Sequence, residues 1–296
     1  MRILITGGTG FIGKKLCSLL ASQGHQLVLW TRQLKPNLPH GVTDYVHQLS
    51  ELEPDSIHAV INLAGAGIAD KRWSTERKQL LISSRVKTTE QLVEWIAAQA
   101  IRPKALLSAS AVGYYGEQGD KPVTEQTKPV AGFTHDLCDA WEKSALAAEA
   151  FGVRVCLVRT GVVLGKGGGS LAKMLPAFKL GAGGPLGNGQ HWFPWIHLED
   201  MARIYAWLLK TESASGVFNA SAPNPVTNAD FTKALGKALS RPAFLPMPEV
   251  VLKLLFGEMA ELLLVSAKML PQRLIEEGFQ FTYPQLDEAL KEVVKS

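Results

Sequence analysis

Short apolar blocks alternate with longer stretches of mixed polarity from the first residues onward. Arg2-Ile3-Leu4-Ile5 is rich in strand formers, and Phe11 to Ser22 carries apolar residues at helical spacing, ending near Gly24. Gln26 to Trp30 predicts a second strand, Tyr45-Val46 a shorter one, and Ala59 to Leu63 another. A polar–apolar helical stretch runs from about Ser74 to Ala100, with a break near its middle left open. Ala105 to Ser108 predicts a strand. Phe133 to Phe151 predicts a helix with Leu137, Trp141, Ala148 and Phe151 on one face, and Val153 to Arg159 the strand after it. Strands and helices alternating at this interval imply a parallel sheet with helices on both faces. The nearly continuous apolar character of the strands fits a sheet covered on both sides.

The texture changes after Arg159. Glycine-rich stretches occupy Gly165 to Ser170 and Gly181 to Gln190, and prolines recur at 223, 225, 242, 246, 248, 271 and 284 between helical segments. A smaller, mostly helical second region is expected there. The glycine-rich stretches are expected to be mobile loops over a cleft, with plain connectors as the alternative. The strongly apolar run from Pro248 to Leu270 is either a core hairpin of that region or part of a homodimer surface; its glycine, Glu258 and Glu261 argue against a membrane span.

Composition narrows the field. Of 296 residues, 46% are apolar and 20% charged, which supplies a core and argues against disorder. The net charge of +4 is dispersed, with only pairs such as Lys14-Lys15 and Lys71-Arg72, so no nucleic-acid stripe is formed. Cys17, Cys138 and Cys156 show no CxxC spacing and are expected as buried, reduced residues. With no signal-like start and no membrane-length apolar run, a cytoplasmic location is expected.

The spacing Gly7-x-x-Gly10-x-x-Gly13 sits directly after the first strand and opens the first helix. That placement gives a weak glycine spacing its meaning. Gly7 permits a tight turn, Gly10 lets the backbone approach a pyrophosphate, and Gly13 lets the helix pack close to the sheet. A diphosphate would then meet free N–H groups at the positive end of the helix. The corner after the second strand selects the dinucleotide. It reads LVLWTR with no Asp or Glu before Asp44, and Arg32 stands where an acid would hold ribose hydroxyls, with Lys35 nearby. Guanidinium suits a 2′-phosphate, so NADP is expected over NAD; an ordinary surface arginine is the alternative.

TGGTGFIG, INLAG (Ile61 to Gly65), SASAVGYYG (Ser108 to Gly116) and VRTGVVLG (Val158 to Gly165) occur in this order, followed by WIHLEDMA and GVFNASAPNPVTN. Together they resemble the extended short-chain dehydrogenase/reductases, the NAD-dependent epimerase/dehydratase family, and most of all its atypical YfcH-type subgroup. The resemblance implies a Rossmann-type doubly wound parallel sheet in an α/β fold. Residues 1–165 would form the dinucleotide-binding domain, with 195–220 returning to it. Residues 166–194 and 221–296 would form the smaller substrate domain. It further implies that Gly7, Thr9, Gly10, Phe11, Ile12 and Gly13 cradle the pyrophosphate and Arg32 takes the 2′-phosphate. Leu63, Ala64 and Gly65 would pass beside the adenosine, and Ser108 and Ser110 would lie where the strand faces the nicotinamide.

The chain departs from that family in its chemistry. The family uses a Tyr-x-x-x-Lys pair, and none of the five tyrosines here is followed by lysine at the fourth position. Counting back from VRTG puts the tyrosine near Thr134 and the lysine near Cys138. Arg85 stands near the position of a family asparagine on the long helix; it would reach a cofactor phosphate or a substrate carboxylate, or form a helix-surface salt bridge. His135 and Asp136 are the nearest replacement proton carriers, with helix capping by Thr134 or Asp136 as the alternative. Tyr114 and Tyr115 are expected to pack, and His197 with Asp200 to form a fold-supporting hydrogen bond. No complete P-loop, HExxH motif, Cys/His cluster or GxSxG elbow is present, and no metal is expected. Three functions stay open: an NADP-dependent oxidoreductase or nucleoside-sugar-type epimerase of unknown substrate, a non-catalytic NADP(H)-binding redox sensor, and a structural scaffold.

Overall fold

The computed structural model describes residues 1–295. Strands β1 (Arg2–Thr6), β2 (Gln26–Trp30), β3 (Asp44–Val46), β4 (Ala59–Asn62) and β5 (Ala105–Ala111) are interleaved with helices α1 (Phe11–Ser22) and α2 (Thr75–Ala98). A two-residue β6 (Pro122–Val123), α3 (Phe133–Leu146), β7 (Arg154–Thr160), β8 (Val162–Leu164) and α4 (Gly169–Lys179) follow. Then come β9 (Trp192–Phe193), β10 (Trp195–His197), α5 (Leu198–Lys210), β11 (Gly216–Ala220), β12 (Val226–Thr227) and α6 (Asn228–Leu239). The chain finishes with α7 (Glu249–Phe256), α8 (Glu261–Leu264), β13 (Lys268–Met269), α9 (Gln272–Glu276) and α10 (Leu286–Val294).

Seven strands form one parallel sheet in the order β11-β7-β5-β4-β1-β2-β3. Side chains alternate across it with the strand period of two. Ile3, Ile5, Ile61, Leu107, Cys156 and Val158 share a core with residues of α1 and α5. Leu4, Val28, Val60, Leu106 and Val155 point the other way and pack with Leu92, Ile96 and Ala145 of α2 and α3. Both faces are therefore covered, as the continuous apolar strands require. The chain winds from β1 outward through β2 and β3 on one side, and through β4, β5, β7 and β11 on the other. The reversal falls at β1, and the crevice above its carboxyl end is where such sheets bind ligands. The architecture is the expected doubly wound α/β fold.

A further core gathers Leu171 and Phe178 of α4, Phe231 and Leu235 of α6, and Ala289, Leu290 and Val293 of α10, together with Trp195. Leu274 and Phe279 instead join the core beneath the sheet, and β13 pairs with β6, so the C-terminal stretch is stitched back onto the sheet region.

Several local expectations change. The long helix α2 is unbroken; Ser74 caps it by accepting from the Arg77 N–H. The Phe133 helix tightens to a 3₁₀ turn at Ala147–Phe151 and ends at Gly152, whose φ is +78°. The apolar run from Pro248 is not a core hairpin: Gly257 interrupts it with φ +59°, Leu252 is buried, and Val250 and Leu254 face outward at 77% and 75% exposure. The glycines at 165, 168 and 169 are not a free loop either. They let the chain pass over the Phe11 ring, which a Cβ at Gly168 would meet at 2.4 Å.

Candidate functional site

The carboxyl ends of β1, β2, β3 and β4 open into a groove of about 1180 Å³. Its floor is Thr6 to Gly10, one wall is Trp30 to Gln33 with His47 to Leu49, and the other is Leu63 to Gly65 with Ser84, Thr88, Gln91, Glu94 and Trp95 of α2. The loop between β1 and α1 is built around missing side chains. Gly7 holds φ +66°, and a Cβ on it would meet the Leu63 carbonyl oxygen at 2.5 Å. A Cβ on Gly13 would lie 2.3 Å from the Gly7 carbonyl oxygen and 2.6 Å from the Gly8 Cα. These two glycines let the loop fold onto the β4 end and onto α1, leaving the groove side free. At Gly10 the same test finds only the Gly7 oxygen, at 3.1 Å. Gly10 caps α1 without a side-chain hydrogen bond, and no acid occupies the first turn. The N–H groups of that turn and its positive dipole end are left for an anion.

A polar ladder inside the sheet fixes the opposite wall. The Thr6 hydroxyl donates to Asn62 Oδ1 at 2.7 Å and accepts from the N–H groups of Leu63 and Ala64, both at 3.1 Å. Asn62 Nδ2 donates to Thr89 Oγ1 at 2.8 Å and to Ser108 Oγ at 3.3 Å. Ser108 is thus fully buried and serves this ladder; its hydroxyl is not presented to a ligand in this structure. Sequence inspection missed Thr6, Asn62 and Thr89; the first two are marked only by polarity at the end of apolar strands, and Thr89 is one polar residue among many on α2.

Arg85 is placed against the groove wall and not on a helix surface. Its Nη1 donates to Leu81 O and its Nη2 to Ala66 O, each at 3.0 Å, and its guanidinium lies over the Trp141 ring, 5.1 Å from the centroid. It braces the turn after Gly65, a position at which a Cβ would meet the guanidinium carbon at 2.9 Å. Arg32 is exposed in the groove corner, and the described residues give it no ion-pair partner. No carboxylate of β2 or its following loop shares that corner.

The region where β5 meets α3 contributes no residue to the lining of that groove and is built differently. Thr134, where a tyrosine is expected, packs against Gly113, at which a Cβ would touch the threonine Cβ at 3.0 Å. Cys138, where the lysine is expected, is buried beside Glu142; burial first, and then that carboxylate, push its thiol up to about 12. Ser110 donates to Glu142 Oε1 at 2.5 Å. Arg159 clasps the same carboxylate with two bonds, Nε to Oε1 at 2.8 Å and Nη2 to Oε2 at 2.7 Å. Its Nη1 donates to the Tyr115 hydroxyl at 3.0 Å, and that hydroxyl donates to Asn219 Oδ1 at 2.6 Å. Arg159 also sits over Tyr114, its guanidinium carbon 3.3 Å from the ring centroid. Burial opposes its charge, but the bonds to Glu142 and Tyr115 outweigh it and raise the guanidinium pKa. Burial pushes the Tyr115 phenol up to about 12, so it is a neutral donor here.

His135 stands in the first turn of α3, half-buried, with Nδ1 on the Tyr114 carbonyl at 2.8 Å and its ring 5.0 Å from that of Tyr114. A carbonyl only accepts, so Nδ1 carries the hydrogen and Nε2 keeps the lone pair in the neutral ring. His197 and Asp200 both support the fold without bonding each other. His197 Nδ1 accepts from the Glu199 N–H at 3.1 Å and its Nε2 meets Glu292 at 3.0 Å, whereas Asp200 receives the Thr282 and Tyr283 N–H groups at 2.7 and 2.8 Å. Among the described residues no group of His, Cys, Asp and Glu is arranged to hold a metal ion, and no helix is long and apolar enough to cross a membrane.

Sheet order, glycine turn and uncapped helix together define a Rossmann-type dinucleotide-binding fold. The chain belongs to the NAD-dependent epimerase/dehydratase family, whose pattern it matches over residues 3–221; residues 247–293 match a domain of unknown function, DUF1731. It is 41% identical to the epimerase family protein SDR39U1 of Mus musculus over 300 residues, covering 99% of this chain and 100% of that one. The crystal structure of human epimerase family protein SDR39U1 (isoform2) with NADPH superposes with a TM-score of 0.90 at 37% identity, covering 99% of each chain. A nucleoside-diphosphate sugar epimerase from Corynebacterium glutamicum superposes with a TM-score of 0.77 at 31% identity, covering 99% of this chain and 58% of that one.

Proposed function

We propose that this protein binds NADP(H) in the groove above β1 and uses it in an oxidoreductase or epimerase reaction on a small, sugar-like substrate. The observation that carries the reading is the uncapped, acid-free first turn of α1 facing a groove whose ribose corner holds Arg32. The pyrophosphate would rest on the backbone of Thr9 to Gly13, the 2′-phosphate on Arg32, and the adenosine beside Leu63, Ala64 and Gly65. Bound there, the cofactor supplies or accepts a hydride at its nicotinamide. The NADPH in the human relative's structure and the name of the Corynebacterium relative support the cofactor and the substrate class, respectively.

The proton chemistry is rebuilt. His135, its ring oriented by the Tyr114 carbonyl at Nδ1 so that Nε2 is the free nitrogen, is the candidate base. Ser110 is the candidate hydroxyl; it donates to the Glu142 carboxyl that Arg159 clasps. Arg85 holds the backbone turn that borders the cofactor.

A second reading, a redox sensor that binds NADP(H) without turnover, is favoured by the burial of both serines and of Cys138. The two readings separate on whether [4-²H]NADPH delivers its label to any member of a panel of sugar and small-molecule carbonyls. Label transfer that is lost in His135→Gln supports the enzyme. Retention of the label across the panel, with NADPH bound, supports the sensor.

A further inference from the structure

The groove corner beside Arg32 contains a second nitrogen base that no sequence motif marks. Thr31 and His47 lie side by side just beyond the last paired residues of β2 and β3, Trp30 and Val46. His47 Nδ1 is bonded to the Thr31 carbonyl oxygen at 3.1 Å, so that nitrogen carries the hydrogen. The Tyr45 ring meets the imidazole edge-on at 5.4 Å, and the Trp30 indole N–H donates to the His47 carbonyl at 3.1 Å. Trp30 holds the backbone that carries the ring, and Thr31 and Tyr45 hold the ring itself. Its Nε2 has no protein partner among the described residues, and the side chain lines the same groove as Thr31, Arg32 and Gln33. The nearby acid, Glu51, is turned to the backbone; its two oxygens take the N–H groups of His47 and Gln48 at 3.3 and 2.8 Å.

We propose that His47 is a cofactor-selecting residue that completes the 2′-phosphate site with Arg32. This rests on the NADP(H) reading above and deepens it. Arg32 is long and exposed, and alone it loses side-chain freedom when it grips an anion. His47 is already held in place, so the bond it adds costs little ordering. A phosphate at Nε2 is met by a ring whose two nitrogens both donate, one to Thr31 and one to the ligand. That is the imidazolium, and the bond is charge-assisted. A ligand with only a ribose hydroxyl at this point gains no such ion pair.

The experiment compares wild type, Arg32→Ala, His47→Asn and His47→Gln by titration with NADPH, NADH, 2′,5′-ADP and 5′-ADP. Asparagine keeps a donor for the Thr31 carbonyl and removes the distal nitrogen; glutamine supplies a distal amide donor without the charge. His47→Asn is expected to weaken NADPH and 2′,5′-ADP by about tenfold and leave NADH and 5′-ADP unchanged, with His47→Gln in between. Melting temperatures measured alongside separate this loss from a folding defect, which would weaken all four ligands. If Arg32→Ala abolishes the preference for the 2′-phosphate while His47→Asn retains it, the role of His47 is overturned and the NADP(H) reading stands. If wild type shows no preference between NADPH and NADH, that reading itself fails.

Discussion

The two ends of the candidate site are built on opposite principles. At the dinucleotide end, side chains are removed: Gly7, Gly10 and Gly13 leave a bare backbone, and α1 begins without a cap. At the β5–α3 end, side chains are packed in: Ser110, Glu142, Arg159, Tyr115 and Asn219 form one buried hydrogen-bonded chain. The first arrangement holds its polar groups ready for a ligand. The second spends them on one another. The groove and the buried network draw on different strand ends, so either can change while the other is kept.

Disrupting the packed end carries the largest expected cost. The side chains of Arg159 and Glu142 are 4% and 6% exposed. Glu142→Ala leaves a guanidinium buried without its partner and is expected to lower stability by about 3–5 kcal/mol. The double change Glu142→Leu with Arg159→Met removes both charges and is expected to recover most of that loss. Urea unfolding of the three proteins measures it; a Glu142→Ala protein as stable as wild type would show that the pair is not the keystone of this end.

At the open end the expected effect falls on binding. Gly13→Ala forces a Cβ into the Gly7 carbonyl and the Gly8 backbone. Its distortion is expected at about 1–3 kcal/mol, which, if it falls on the binding-competent loop, is roughly 5- to 150-fold in the affinity for NADPH and NADH alike. Equal weakening of both cofactors distinguishes this loop from the corner of Arg32, where only the phosphorylated one should suffer.

Thiol reactivity sharpens the contrast further. Burial pushes the thiols of Cys17 and Cys138 up to about 12 and that of Cys156 up to about 11. A disulfide reagent at pH 8 is expected to label none of the three in the native protein and all three after unfolding. Rapid native labelling of Cys138 would mean that the β5–α3 end opens.

The smallest effect is on acid stability. Burial lowers the pKa of His191 in the folded chain, and Glu117 only partly offsets it. Below the ordinary imidazole range, about 6.5, the unfolded chain binds the proton that the folded chain resists. The contribution of His191 is therefore complete above that range and is lost as pH falls through it. His191→Gln is expected to flatten the decline below about pH 6.5 in a series of urea midpoints, and an unchanged slope would remove His191 from the account.

These ends also differ in how much the sequence disclosed. The glycine turn was legible because its spacing lies between a strand and a helix, where physical constraint leaves few residue choices. The place of Arg32 at the groove corner was readable because a corner that ordinarily holds an acid holds none. The absence of a Tyr-x-x-x-Lys pair was equally plain, but what replaced it was not. Glu142 and Arg159 are 17 residues apart on different elements, and only the register of β5 against β7 brings Ser110 opposite Arg159. His47 stayed hidden for the same reason, since its partner Thr31 lies across a two-strand pairing and not along a helix turn. For the run at α7 the two sequence alternatives, core hairpin and homodimer surface, could not be separated, because apolar content alone does not say which side of a helix is covered; the exposed Val250 and Leu254 remove the first.

The central claim is that the uncapped helix mouth and the acid-free corner select a phosphorylated dinucleotide. It is tested most directly by titrating ligand-stripped protein with NADPH and NADH while following nicotinamide fluorescence. At least about tenfold tighter binding of NADPH is expected, with the preference abolished in Arg32→Ala. Equal affinities, or no binding of either at millimolar concentration, would contradict it.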